Sequence, residues 1–167
     1  RNSVLEALRA HLPWLLRTSP PTHSEGLVRV IARERQVPER CVLPGGGSSE
    51  LIYLALPRWV KAGQTVLLLD PTYGEYAHLL EQVLGCRVQG LALSRADGYA
   101  VSLEALARRI AEVRPSLLVL VNPNSPTGRH VPRTELEALL RGLPPSVRVW
   151  IDETYVEYAG PGQSLEG

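Results

Sequence analysis

The chain has 167 residues, a length for one compact domain and too short for two of ordinary size. Hydrophobic residues make up 44%, enough for a full core, which excludes wholesale disorder; a net charge of +1 gives no electrostatic case for nucleic acid or an anionic membrane. Seventeen of the eighteen basic residues are arginine, and Lys61 is the only lysine.

In chain order, Ser3 with Glu6 has the spacing of a capping box and predicts a short helix limited by Pro13. The proline-rich link "TSPPTH" leads to a second such pair, Thr22 and Glu25, and a helix to about Gln36. Residues 1–21 are thus expected as an N-terminal helix and link, and 22–167 as part of a larger ligand-binding domain. "CVLPGGGSSELIYLALPRWVKAG" predicts a short extended piece, a glycine turn and an apolar helix shortened or kinked at Pro57. Beyond it strand and helix alternate. "TVLLL", "CRVQGLAL", "SLLVLV" and "VRVWIDE" are the strands. "GEYAHLLEQVLG", "SLEALARRIAEV" with Ser102 as its cap, and "PRTELEALLRGL" with the pair Thr134 and Glu137 are the helices between them. Aliphatic runs without alternation, separated by helices, predict an α/β fold: a mostly parallel sheet with helices on both faces.

Cys41 and Cys86 lie far apart with no metal-ligand spacing, the pattern of free thiols in a reducing compartment. No apolar stretch approaches the ~18 residues of a membrane span, and "RNSVLEALRAHL" is amphipathic rather than a signal block. A cytoplasmic protein is the expectation. The absence of an initial Met and the ending "SLEG" read as part of a longer polypeptide.

The chemistry gathers where the strands end. "TVLLL" runs into "DPTYGEY", "SLLVL" into "VNPNSPTG" and "VRVWI" into "DETYVEY". In open α/β sheets ligands bind outside the carboxyl ends of the strands, so three polar endings in parallel strands can converge on one site. "PGGGSSE" adds a helix N-terminus with Ser48 and Ser49, a cup for an anion such as phosphate. It matches neither the Rossmann fingerprint nor the P-loop. Asp152 would be costly to bury without a positive partner, so it is an exposed strand end, an ion pair with an arginine or the partner of a cationic ligand nitrogen. Tyr155 stands three residues on, and Tyr73 offers a flat ring for stacking or simple packing.

Taken together, "PGGGSSELIYLA", "DPTYGEY", "NPNSPTG" and "WIDETYVEY" resemble the large domain of fold-type I aminotransferases dependent on pyridoxal 5'-phosphate. The nearest subgroup is that of histidinol-phosphate aminotransferases, which includes threonine-phosphate decarboxylases. The resemblance runs from about Ser19 to Tyr158. It implies that Ser48 and Ser49, with the amide of Gly47, bind the cofactor phosphate. It implies further that Tyr73 stacks on the ring, Asp152 pairs with the ring nitrogen and Tyr155 bonds the ring hydroxyl oxygen. It also implies amino acid and 2-oxo acid substrates and a homodimer.

Three positions depart from the family pattern. Ser125 stands where most members have Asn, which leaves the ring-hydroxyl contact weaker or passes it to Asn124 or Asn122. Ser19 occupies the place of a family tyrosine that reaches into the partner subunit's site. The Schiff-base lysine expected after "DETY" is missing, and Lys61, before "TVLLL", lies at the wrong edge of the sheet. The lysine and the small domain are therefore expected beyond Gly167. Other readings are decarboxylation of a phosphorylated amino acid and a non-catalytic α/β domain that binds a phosphorylated ligand. A dinucleotide-binding domain is disfavoured by the missing fingerprint.

Overall fold

A computed structural model describes residues 2–166. The chain forms two compact units, one running to Pro44 and including Glu166, the other Gly45–Leu165.

The first unit holds α1 (Asn2–Leu15), α2 (Glu25–Arg35) and a 3-10 turn at Glu39–Cys41. Helix α1 begins before Ser3, so Ser3 is inside it and not its cap, and Pro13 lies within the helix instead of limiting it. Proline deletes one amide donor, and near the end of a helix that loss removes a single bond while the chain continues one more half-turn. Thr22 does not cap α2 either. Ser24 does so in a left-handed conformation without a side-chain bond. At the other end Gln36, also left-handed, donates its N–H to the carbonyls of Ala32 and Arg33 and stops the helix.

The second unit is built on a four-stranded sheet of order β2-β1-β3-β4. Its strands are β1 (Thr65–Asp70), β2 (Arg87–Ala92), β3 (Leu117–Val121) and β4 (Arg148–Asp152), and every pairing is parallel. Helices α3 (Ser48–Trp59), α4 (Gly74–Ala77), α5 (Leu103–Val113) and α6 (Arg133–Arg141) connect and cover them.

Strand periodicity of two sorts the central residues between two cores. Val66 and Leu68 of β1, with Leu117, Val119 and Val121 of β3, face Ile52 and Leu56 of α3 and Tyr76, Leu79 and Leu80. Leu67 and Leu69, with Leu118 and Leu120, face Leu106 and Ile110 of α5 and Leu136 of α6. The aliphatic runs do not alternate because both faces of the central strands are covered. Each fully buried leucine contributes about 1.5–3 kcal/mol by leaving water. The outer strands β2 and β4 are only partly buried.

Ser102 caps α5 as expected, accepting a bond from the Ala105 amide at 3.1 Å. Thr134 is no cap: α6 starts at Arg133 after Pro132, whose carbonyl accepts from the amides of Glu135 and Leu136. Glu137 instead takes Arg133 and Arg141 on the same helix face. Pro57 does not end α3, which continues to Trp59. The stretch after β1 is helical, but beyond Ala77 it widens to a π-helix over His78–Val83.

Candidate functional site

Parallel register decides where the strand ends meet. Val121 is opposite Asp152, and the next amide, that of Asn122, donates to the Asp152 carbonyl at 2.8 Å. Strand β1 ends on the same edge and turns through Pro71 and Thr72 into α4. The N-terminus of α3 faces these loops. Ser48, Tyr73, Val121, Ser125, Asp152, Thr154 and Tyr155 line one cavity. Four separate segments predicted to converge do so.

Among the described residues Asp152 meets no arginine: its carboxylate has no ion-pair partner, and its oxygens are held by other donors. Oδ1 accepts from the Thr154 amide at 3.0 Å and the Thr154 hydroxyl at 2.6 Å. Oδ2 accepts from the Tyr76 hydroxyl at 2.7 Å. The Trp150 indole N–H, a donor only, donates to the same Tyr76 oxygen at 2.9 Å. Burial first, then the Asp152 charge, push the Tyr76 phenol far above its ordinary range, so its proton stays in place to be donated.

The serine turn has two faces. Gly47, the residue before α3, has φ 139°, which side chains rarely adopt, although open space surrounds the position where a Cβ would stand. Backbone conformation, not crowding, is what calls for glycine there. Ser48 lines the cavity at the start of the twelve-residue helix α3, whose free N–H groups favour an anion. Ser49 turns aside and donates to Glu75 Oε1 at 2.9 Å. The Tyr73 hydroxyl donates to that same oxygen at 2.8 Å. Glu75 Oε2 is buried with no hydrogen-bond partner. The Tyr73 ring packs edge-on against Tyr76, with centroids 6.1 Å apart.

The two asparagines frame the loop. Asn122 is 3% exposed; its side chain donates to the Val131 carbonyl at 2.9 Å and accepts from the Val131 amide at 2.8 Å. Asn124 is 1% exposed; it donates to the Pro71 carbonyl at 2.9 Å and to Thr127 Oγ1 at 3.0 Å, and accepts from Thr72 at 2.7 Å. Both amides are spent on tying loops together, and of the loop that follows Val121, Ser125 is the residue that reaches the cavity.

Sequence reasoning passed over Tyr76, Trp150, Thr154 and Glu75. The one local signal was Tyr76 standing three residues after Tyr73, one helical turn on. Lys61 precedes β1 and lies at the amino end of the sheet; its carbonyl accepts from the Cys86 thiol at 3.5 Å. The six residues of β1, at ~3.3 Å each, separate it from the cavity edge by ~20 Å. Among the described residues no group of His, Cys, Asp and Glu could hold a metal ion. The cavity thus offers a hydroxyl at a helix N-terminus, an aromatic ring and a carboxylate with fixed donors. That set suits a flat ligand carrying an anion and a cationic N–H.

The family model described as aminotransferase class I and II matches residues 14–166. The histidinol-phosphate aminotransferase of Bacillus pumilus is 32% identical over 155 residues, 92% of this chain and 40% of its own length. The L-serine phosphate decarboxylase of Sulfurospirillum multivorans is 28% identical over 148 residues, 89% of this chain and 37% of its own length. Among solved structures, the histidinol-phosphate aminotransferase of Sinorhizobium meliloti in complex with pyridoxal 5'-phosphate superposes with a TM-score of 0.81 at 24% identity. That match covers 99% of this chain and 43% of the other. A decarboxylase from Sulfurospirillum multivorans superposes with a TM-score of 0.73 at 27% identity, covering 90% of this chain and 40% of the other. The chain therefore spans about 40% of the length of the curated relatives it matches.

Proposed function

The chain belongs to the class I and II aminotransferases, and from that premise we propose that it is the cofactor-holding part of an enzyme that transfers an amino group from an amino acid to a 2-oxo acid. The cofactor is pyridoxal 5'-phosphate. The observation that carries this reading is the single cavity lined by Ser48, Tyr73, Ser125, Asp152 and Tyr155.

The donor set fits the cofactor. Ser48, the Gly47 amide and the start of α3 hold the phosphate by hydrogen bonds and by the positive end of the helix. Tyr73 would cover one ring face. Asp152 keeps one acceptor position for the ring nitrogen, because Thr154 and Tyr76 fill the others. Ser125 and Tyr155 would bond the ring hydroxyl oxygen, and Asn122 and Asn124 hold the loop that presents Ser125. When bound, the cofactor supplies an electron sink for charge developing beside the reacting nitrogen. Asp152 favours the protonated ring that makes the sink deeper, since opposite charges stabilise the charged form. The lysine that such chemistry requires is not Lys61, and the working enzyme draws it from sequence outside these residues. We also propose a homodimer.

Decarboxylation of a phosphorylated amino acid is a second reading, favoured by the similarity to the serine phosphate decarboxylase. Product analysis with the full-length protein decides between them. A 2-oxo acid formed from the donor supports transfer; an amine with carbon dioxide supports decarboxylation; failure to bind pyridoxal 5'-phosphate overturns both.

A further inference from the structure

We infer that Tyr76 is the positioning residue that aims Asp152 at the ring nitrogen. The inference rests on the cofactor reading above and adds a residue outside the cavity wall.

Lone pairs and proton directions leave Asp152 little freedom. A carboxylate has about four acceptor positions, two on each oxygen. Thr154 fills both on Oδ1, through its amide and its hydroxyl. Tyr76 fills one on Oδ2. A single position on Oδ2 remains for a donor in the cavity, and the Tyr76 bond sets which way it points. Tyr76 itself has no choice. The Trp150 indole can only donate, so the Tyr76 oxygen accepts from it and the lone phenolic proton goes to Asp152. Nor can water replace it: Tyr76 is 0% exposed.

The same residue reaches the other ring-facing group. Its ring meets Tyr73 edge-on at 6.1 Å, an interplanar angle of 77°. Tyr76 thus braces at once the carboxylate meant for the ring nitrogen and the ring meant to stack. It touches neither ligand atom, and its effect passes through Asp152 and Tyr73.

The test uses the full-length protein stripped of cofactor, in four forms: native, Tyr76→Phe, the double variant Tyr76→Phe with Trp150→Phe, and Asp152→Asn. The double variant removes the partly buried indole donor that Tyr76→Phe alone would strand, which keeps the experiment valid if the single variant melts early. Cofactor affinity is measured by equilibrium dialysis. Protonation of the bound ring nitrogen is followed by NMR of isotopically labelled cofactor across pH. A misaimed carboxylate stabilises the protonated ring less. Both tyrosine variants should therefore bind about five-fold or more weakly, and the ring nitrogen should titrate at lower pH by about half a unit or more. A merely structural role leaves that titration unmoved. Native affinity and titration in the tyrosine variants, with both lost in Asp152→Asn, overturn the inference alone. Native behaviour in Asp152→Asn overturns the cofactor reading beneath it.

Discussion

The Tyr76 hydroxyl lies 2.7 Å from Asp152 Oδ2, joining residues 76 positions apart in the chain. One is buried in the core beside α3, the other ends β4 at the cavity. Whatever displaces either group reaches the other, and the packing of this face of the sheet is thereby tied to the site.

Asp152→Ala removes the only carboxylate that lines the cavity among the described residues and strands the Tyr76 hydroxyl. Affinity of the full-length protein for pyridoxal 5'-phosphate should fall about ten-fold or more, since hydrogen bonds to charged groups are worth about 1.5–3 kcal/mol. Dialysis that returns native affinity removes Asp152 from the site.

Glu75→Gln keeps an oxygen that can accept from Ser49 and Tyr73 but deletes a negative charge 2.9 Å from the Ser49 hydroxyl, beside the turn proposed to hold phosphate. Inorganic phosphate should bind about two-fold or more tightly, because like charge no longer opposes it. Weaker binding, read by calorimetry, would mean that the charge itself organises the turn.

Asn124→Ala leaves Thr72 Oγ1 and the Pro71 carbonyl without a partner they now have at 2.7 and 2.9 Å. Stranding polar groups away from water costs about 1–3 kcal/mol each, and these two are partly buried, so a loss of about 1–3 kcal/mol is expected in urea unfolding. A loss below about 0.5 kcal/mol would show that solvent reaches the loop.

Leu118→Ala opens a hole on the α5 and α6 face, where the side chain is 0% exposed. Truncation of a core leucine costs about 2–5 kcal/mol, and the same urea titration reads it.

Glu137 is held below the ordinary glutamate range, first by its hydrogen bond from Arg133 and then, against a smaller opposing effect of burial, by the charges of Arg133 and Arg141. A carboxyl with a depressed folded pKa stabilises above its unfolded pKa, and that contribution is lost as pH falls through the folded value. Glu137→Gln should therefore lower the melting temperature near about pH 7 and make little difference near about pH 3. An equal effect at both pH values would assign the change to packing.

Much of this was readable from local pattern. Aliphatic runs five to six residues long, separated by helical periodicity, dictate covered parallel strands because nothing else satisfies both their apolar faces and their backbone bonds. Polar, glycine- and proline-rich endings then mark the carboxyl edge, and the order of "PGGGSSE", "DPTYGEY", "NPNSPTG" and "DETY" carries the family. Helix starts were less legible. Ser3, Thr22 and Thr134 have capping-box spacing, yet the helices begin elsewhere. A proline at 132 and a left-handed serine at 24 settle those ends through backbone conformation, which spacing does not record.

The sequence by itself determined the layers, the strand direction, the edge where the polar residues gather and the family. Those follow from periodicity and turn chemistry, which act between near neighbours. Only the tertiary structure decided how the polar side chains are spent. Asn122 and Asn124 turn inward to bind loop backbone, Ser49 turns to Glu75, and Ser48 and Ser125 are left to the cavity. Asp152 finds a phenol in place of a cation. The reason is physical: a hydrogen bond requires two atoms within about 3 Å in the right direction, and register and packing between distant segments set that separation.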